Sequence, residues 1–298
     1  KPFKFPPPDG FLPLNLVNVR PETVIARPDK FVSATLYTGN NTVGHRIDVG
    51  FDPDLVILSR RNNNAERWTY DTVRGAGKAL TATSSSSEAD QTGSYNFLKE
   101  FVKEGFTLGN DQDVNGSSSN TYAAYSWKAG GSSKTWNIDG VGYDSAAAAG
   151  LTNTTGASIG TKQGFGIIKY TGNSTGVNAG SEQTLTHNMG KAPVFVLAKN
   201  LDGNHNWNVL HHKAVTSSHP NFYQNAMYLN TNDALPNTSN VRPWGNFAPT
   251  TTTIKVNNSS GGNNQQSLNY NGVDYVLYMW AEVAGLQKFG SYLGNTTE

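Results

Sequence analysis

Between residues 31 and 37 the chain reads FVSATLY. This alternation sets Phe31, Ser33, Thr35 and Tyr37 on one face and Val32, Ala34 and Leu36 on the other, the period of a strand whose two faces differ. DLVILSR (54–60) and VFVLAKN (194–200) are instead short apolar runs, the kind that build buried strands. Between such segments lie clusters of Gly, Asn, Ser and Thr. The TGN that closes the first strand supplies a glycine for positive φ and an asparagine that tolerates the left-handed region, as a tight reversal requires. Helical spacing is scarce. Tyr95 to Phe106 predicts a short helix with Phe97, Leu98, Phe101 and Val102 inward, ended at Gly105, and Asp144 to Gly150 predicts one or two helical turns.

The pattern repeats along the chain. YTGN occurs at 37–40 and again at 170–173, 133 positions later, and FGSYLGN at 289–295 echoes it a third time. Gly50 and Gly190 lie 140 positions apart, as do Pro53 and Pro193, and Trp68 and Trp207 lie 139 apart. TYAAYSW (121–127) and DYVLYMW (274–280) align Tyr122 with Tyr275, Tyr125 with Tyr278 and Trp127 with Trp280, all at 153. The offset changes only across polar stretches, so insertions fall in loops while strands stay in step. The expected fold class is all-β, with two tandem, internally repeated β-sandwich (jelly-roll-like) domains and very little helix. The predicted division is a proline-rich linker over 1–30, a first sandwich over 31–160, and a second over 161–298 with an extra C-terminal strand. In the linker, Phe3, Phe5, Phe11, Leu12, Leu14 and Leu16 are too apolar for a fully solvated arm, and part of it is expected to pack.

Composition narrows the functional classes. Hydrophobic residues make up 36% and charged residues 15%, leaving a surface dominated by Asn, Ser, Thr and Gly, the palette of extracellular and fibre proteins. With 23 basic against 22 acidic residues the net charge is +1, so no field gathers nucleic acid or an anionic membrane. Cysteine is absent, which removes disulfides and thiolate metal sites. No apolar run approaches the ~20 residues that span a bilayer. KPFKFPPPDG lacks the apolar centre of a signal peptide, so export is expected to use host lysis or a leader outside this chain.

Candidate chemistry is thin. VRGAGK (73–78) looks like a phosphate-binding loop, but the full pattern needs glycine at Thr72 and a hydroxyl residue at Ala79, so a turn after a strand is expected. DQDVNG (111–116) matches the opening of a calcium loop through Asp111, Asp113 and Asn115. Its twelfth position is Tyr122 rather than a bidentate Glu, and a plain hairpin loop is the preferred reading. His205 and His211 in HNWNVLHH would lie ~20 Å apart along one strand, too far to share a metal. Asp52 and Asp54 flank Pro53 but become Ala192 and Val194 at the matching later positions, so a glycosidase-like pair is not expected. Trp68, Trp127, Trp207 and Trp280 recur beside strand residues and are expected to fill the space between two sheets. The residues assign no catalytic group, no cofactor and no ligand-binding side chain.

The ordered series YTGN, GFDPDLVILSRRN, DTVRGAGKAL, EGFTLGN, TYAAYSWKAGG, NIDGVGYDSAAAAGL, TGASIGTKQGFGIIKYTGN and AEVAGLQKFGSYLGN resembles a β-rich domain of otherwise unknown function. That domain occurs, often in tandem, in large virion proteins of marine tailed bacteriophages. KPFKFPPPDGFLPLNLVN in turn resembles the closing strand and exit of a SPRY-type lectin-like sandwich. The resemblance implies a non-enzymatic virion structural protein, part of a tail fibre or a capsid or tail appendage. It would sit on the extracellular phage particle beside other virion proteins, and a homotrimer is expected by analogy with fibre proteins. It would present β-sandwich domains for host attachment, without nucleic-acid binding or membrane insertion. The alternative is a carbohydrate-binding, lectin-like module that holds a host surface glycan. An envelope depolymerase would require two carboxylates about 5–10 Å apart in a cleft.

Overall fold

A computed structural model describes residues 25–93, 96–175, 182–215, 220–233, 243–258 and 268–292. The apolar linker positions from Phe3 to Leu16 lie outside the described residues. The chain is nearly all β. Its first half contributes β1 (Val32–Thr38), β2 (His45–Asp48), β3 (Leu55–Arg60), β4 (Arg67–Asp71), β5 (Lys78–Thr81), β6 (Ala89–Asp90), β7 (Leu98–Val102), β8 (Gly105–Leu108) and β9 (Thr121–Trp127), with one helical turn, α1 (Gln112–Asn115). The second contributes β10 (Trp136–Ile138), β11 (Val141–Tyr143), β12 (Gly156–Gly160), β13 (Phe165–Thr171), β14 (Glu182–Thr186), β15 (Phe195–Asn200), β16 (Asn208–His211), β17 (Met227–Tyr228), β18 (Thr253–Asn257) and β19 (Asp274–Trp280).

The sheets stack in four layers. β2-β8-β7 packs on the six-stranded sheet β1-β9-β3-β4-β5-β6, and β14-β18 packs on the eight-stranded sheet β11-β10-β12-β13-β19-β15-β16-β17. Val56, Leu58, Tyr70, Phe106 and Leu108 fill the first space, and Ile168, Tyr170, Val196, Ile254 and Leu277 fill the second. The two large sheets also face each other. Leu55, Leu80 and Trp127 meet Phe165, Leu197, Val209, Val276 and Trp280 in a third apolar layer. Strands β13, β15 and β19 are therefore covered on both faces, which is why their sequences read as nearly continuous apolar runs. β10, β11 and β12, which the sequence places in the first unit, hydrogen-bond through β12 to β13 and so extend the second sheet.

Pairing in the two halves matches residue by residue. Tyr37 faces Tyr122 and Val32 faces Trp127, as Tyr170 faces Tyr275 and Phe165 faces Trp280. Leu55 pairs with both Trp127 and Asp71, as Phe195 pairs with Trp280 and His211. This register explains YTGN. Each tyrosine stacks on its partner, at 5.0 Å in the first half and 5.2 Å in the second, and donates its hydroxyl proton to a backbone carbonyl, of Val114 or of Leu268. A Cβ on Gly39 would fall 2.1 Å from the Gly116 carbonyl oxygen, and one on Gly172 2.2 Å from that of Tyr270, so only glycine fits. The backbone N–H of the motif asparagine donates to a buried asparagine side chain, Asn40 to Asn115 at 3.0 Å and Asn173 to Asn269 at 2.9 Å.

Four local expectations change. Neither Gly39 nor Gly172 of the TGN motif holds the positive φ expected; the left-handed residue of the first turn is Asn41, and the glycines serve close approach instead. The residues predicted helical up to Phe106 form the hairpin β7–β8, because pairing with β2 overrides the local apolar spacing; Gly105 is needed where β2 passes, its Cβ position lying 2.1 Å from the Ile47 carbonyl oxygen. Trp68 and Trp207 are not equivalent. Leu58 faces Trp68 while Ala198 faces Asn208, so Trp207 sits one residue out of register and points to the opposite side of its sheet. Trp68 accordingly packs in the first sandwich, whereas Trp207, Trp127 and Trp280 occupy the layer between the large sheets. The described part of the third repeat, Phe289 to Tyr292, is not a strand; Phe289 stacks on Phe195 at 5.3 Å, and Leu293 to Asn295 lie outside the described residues. Asp144 to Gly150 makes a single turn closed by Ala149 N–H to Ser145 and Leu151 N–H to Ala146.

Asn115→Ala should destabilise the chain by about 2 kcal/mol in urea unfolding, because it strips a partner from the Asn40 N–H and from the carbonyls of Thr42 and Gly109, on two segments. Asn40→Ala, which removes only one exposed turn bond, from Thr42 N–H to the Asn40 side chain at 2.9 Å, should cost under about 1 kcal/mol.

Candidate functional site

The calcium-loop residues are structural. Asp111 caps α1 by accepting from Asp113 N–H at 2.8 Å, and Asp113 accepts from the Trp68 indole at 3.3 Å. Burial, with the Asp113 charge nearby, raises the Asp111 carboxyl above its ordinary pKa. Asn115 turns inward. Its Oδ1 accepts from Asn40 N–H and lies 2.8 Å from His45 Nδ1, while its Nδ2 donates to the carbonyls of Thr42 and Gly109. The segment is thus a one-turn helix rather than the plain hairpin loop predicted, because Asp111 supplies the N-cap and Val114 and Asn115 are buried. Among the described residues no three His, Asp or Glu side chains are grouped to hold a metal. The HNWNVLHH histidines form no such group, although the His211 and His212 rings lie 5.4 Å apart. His211 sets its edge against Phe195, and His212 reaches the Phe289 carbonyl at 3.0 Å.

Asp52 and Asp54 line a cleft of about 470 Å3 with Phe101, Lys103 and Ser132. Asp52 is exposed and accepts from Glu104 N–H at 2.6 Å. Asp54 is buried at 2% exposure, and its oxygens receive the Thr72 hydroxyl at 2.9 Å and Ala129 N–H at 2.7 Å. Ser158 Oγ lies 2.9 Å from both Asp54 Oδ1 and Asn137 Oδ1, and its single proton serves one of them. Burial raises the Asp54 pKa even though these bonds oppose the shift. A carboxylate so occupied anchors Ala129 and Ser158 to the first sheet; it has little left to offer a substrate. The backbone role is common to both halves, since Asp54 N–H donates to Trp127 as Val194 N–H donates to Trp280, so the carboxylate is an addition confined to the first half.

The phosphate-loop lookalike is the turn expected after a strand, and its charges close on themselves. The side chains of Asp71 and Arg74 are buried, with Arg74 Nε 2.5 Å from Asp71 Oδ2. Asp71 Oδ1 accepts from the N–H groups of Val73 and Arg74, and Oδ2 also accepts the Tyr278 hydroxyl at 2.6 Å from across the middle layer. Arg74 further donates to Glu88 and to the carbonyls of Lys78 and Thr69. Burial alone would lower the guanidinium pKa, but Asp71, with Tyr278 and Glu88, holds it above its ordinary value.

A second cation crosses the same layer. Lys199 is fully buried in β15, and its ammonium group donates to the carbonyls of Asn200 at 2.8 Å, Ser85 at 3.2 Å and Gly203 at 3.4 Å. Burial, with the repulsion of Arg74, pushes its pKa down to about 8. Trp207 donates its indole proton to the Thr81 carbonyl at 2.8 Å, and Glu88 N–H donates to Leu201 at 2.9 Å. The sequence reading missed Asp71, Arg74 and Lys199; the available signal was a lysine inside the apolar run VFVLAKN and an arginine inside a tight turn. What these groups do together is join two sheets.

Tyr278→Phe should cost about 2 kcal/mol in chemical unfolding, because it strips a donor from a buried carboxylate. Tyr125→Phe, at the matching but exposed position, should change stability by less than about 0.5 kcal/mol. Lys199 has a depressed pKa in the folded state, so the unfolded chain binds more protons between pH 8 and the ordinary lysine value. Stability attributable to Lys199 should therefore rise with pH across that window, by about 3 kcal/mol at most. The rise should be missing in Lys199→Met, as read from urea midpoints at pH 7.5 and pH 10.

No curated protein and no solved structure matches the chain. A family profile covers residues 27–298 and so every described strand. The chain belongs to the family described as domain of unknown function DUF7483.

Proposed function

We propose that the chain is a non-enzymatic structural protein of a bacteriophage virion, part of a tail fibre or a capsid or tail appendage, presenting β-sandwich halves to the host surface. The observation that carries this reading is where the ionisable groups go. Asp54, Asp71, Arg74 and Lys199 are all spent on bonds that hold segments of the fold together, and the Asp52–Asp54 pair at the cleft has its buried member saturated by protein donors. The matching registers of the two halves support descent from one duplicated unit, which suits an extended appendage built by adding modules. The polar, nearly neutral surface suits a particle exposed to the medium. The resemblance to domains of phage virion proteins points the same way, as does the SPRY-like leader segment.

In this reading the partners are other virion proteins and further copies of the chain, a trimer by analogy. Mass spectrometry of gradient-purified particles of a phage encoding the chain should recover it at several copies per particle, and antibody raised against it should label an appendage and slow adsorption to host cells. Particles that lack the chain overturn the assignment.

A further inference from the structure

Four backbone segments meet around a second cavity, of about 370 Å3, beside the Asp54 cleft. Phe31 enters from the start of β1. Lys128 to Gly131 follow β9, Asp139 and Gly140 make the turn between β10 and β11, and Lys162 and Gln163 make the turn between β12 and β13. Such a cavity is large enough for a sugar ring, since small-ligand sites begin at about 300 Å3.

Its walls are fixed by the fold. Buried Gln163 donates to the carbonyls of Lys128 at 3.1 Å and Ala129 at 2.7 Å, and Gly130 N–H donates to Ser158 at 2.9 Å. Gly140 N–H reaches the Gly130 carbonyl at 2.6 Å, tying two of the rims together. Gly130 admits no side chain, because its Cβ position lies 1.9 Å from Asn137 Oδ1, and Gly131 holds a φ of +71°.

The charges on these walls are unbalanced. Among the described residues neither Lys128 nor Lys162 has a carboxylate within ion-pair distance, a state shared with lysines such as Lys30 and Lys191, and the charge acting with Lys128 is the buried Asp54 carboxyl, already held by protein donors. The cavity's one carboxylate, Asp139, already accepts from the Thr161 backbone N–H at 2.9 Å and from the Thr161 hydroxyl. The Lys162 ammonium stands 5.8 Å from the centre of the half-buried Phe31 ring, so aromatic surface and positive charge share one wall.

We propose that this cavity binds an anionic sugar. A carboxylate or sulfate on the ligand neutralises Lys128 and Lys162, the apolar face of the pyranose lies on Phe31, and Asp139 accepts from a ring hydroxyl. This deepens the attachment role proposed above by naming the class of surface glycan. It can be tested without the particle: failure here leaves the virion assignment standing, and absence of the chain from particles leaves the cavity standing.

Titration calorimetry of the full 298-residue chain with an oligogalacturonate, a chondroitin sulfate oligosaccharide and a neutral maltooligosaccharide of equal length reads the proposal directly. The expected result is binding of at least one anionic probe and not of the neutral one, weakened about tenfold by Lys128→Met and by Lys162→Met. Phe31→Leu should also weaken it, while Lys134→Met, which removes an exposed lysine paired with Asp144 outside the cavity, should leave it unchanged. Preference for the carboxylated or the sulfated probe identifies the acid. Absence of binding to both anionic probes, equal binding of the neutral one, or equal loss in Lys134→Met overturns the proposal; unchanged melting temperatures show that the variants are folded.

Discussion

A carboxylate with no access to water sits between the two large sheets, and the rest of the arrangement depends on its being satisfied. Burying Asp71 and Arg74 costs several kcal/mol per ion unless every lone pair and proton finds a partner. Here Asp71 receives four donors, one of them the Tyr278 hydroxyl from the opposite half. Shifting one large sheet against the other would strand a buried charge, so this pair opposes alternative packings of the same apolar surfaces. Lys199 adds a similar constraint from the other side, since one of its three carbonyl acceptors, Ser85, belongs to the first half. The apolar layer supplies the attraction and the ions supply its address.

The matching halves thus share a scaffold and differ in what they add. Both retain the tyrosine stack, the glycine under a carbonyl and the buried asparagine, because each is required by the path of the backbone. Where the matched positions meet the middle layer they diverge. Tyr278 is buried against Asp71 while Tyr125 is 43% exposed, and Asp71 corresponds to His211. The halves also differ at their edges, since the second sheet alone receives β10 to β12.

Much of this was readable in the residues. The strands flanking YTGN, the offsets of 133, 140 and 153, and the turn at VRGAGK follow from alternation, glycine and local spacing, and all correspond to observed pairing. Quantities set by distant partners were not. The hairpin at Leu98 to Leu108 looked helical because its apolar spacing fits both periods, and only β2 decides between them. Trp207 looked like the counterpart of Trp68 at an offset of 139, yet the ladder runs at 140, and one residue exchanges one core for another. Asn115 resembled a cation ligand because the same polar side chain that can coordinate a metal can also saturate a tight turn. The Lys128 and Lys162 cavity had no linear signature at all, since four separated segments build it.

The join between the halves is a packed layer rather than a tether, and this bears on mechanics. A string of beads linked by peptide flexes at every link, and a load pulls its beads into line before any bead feels shear. A pair fused across its broad faces bends as one beam, so the loops at its two ends keep a set spacing under load, and whatever is attached at one end is aimed by the other.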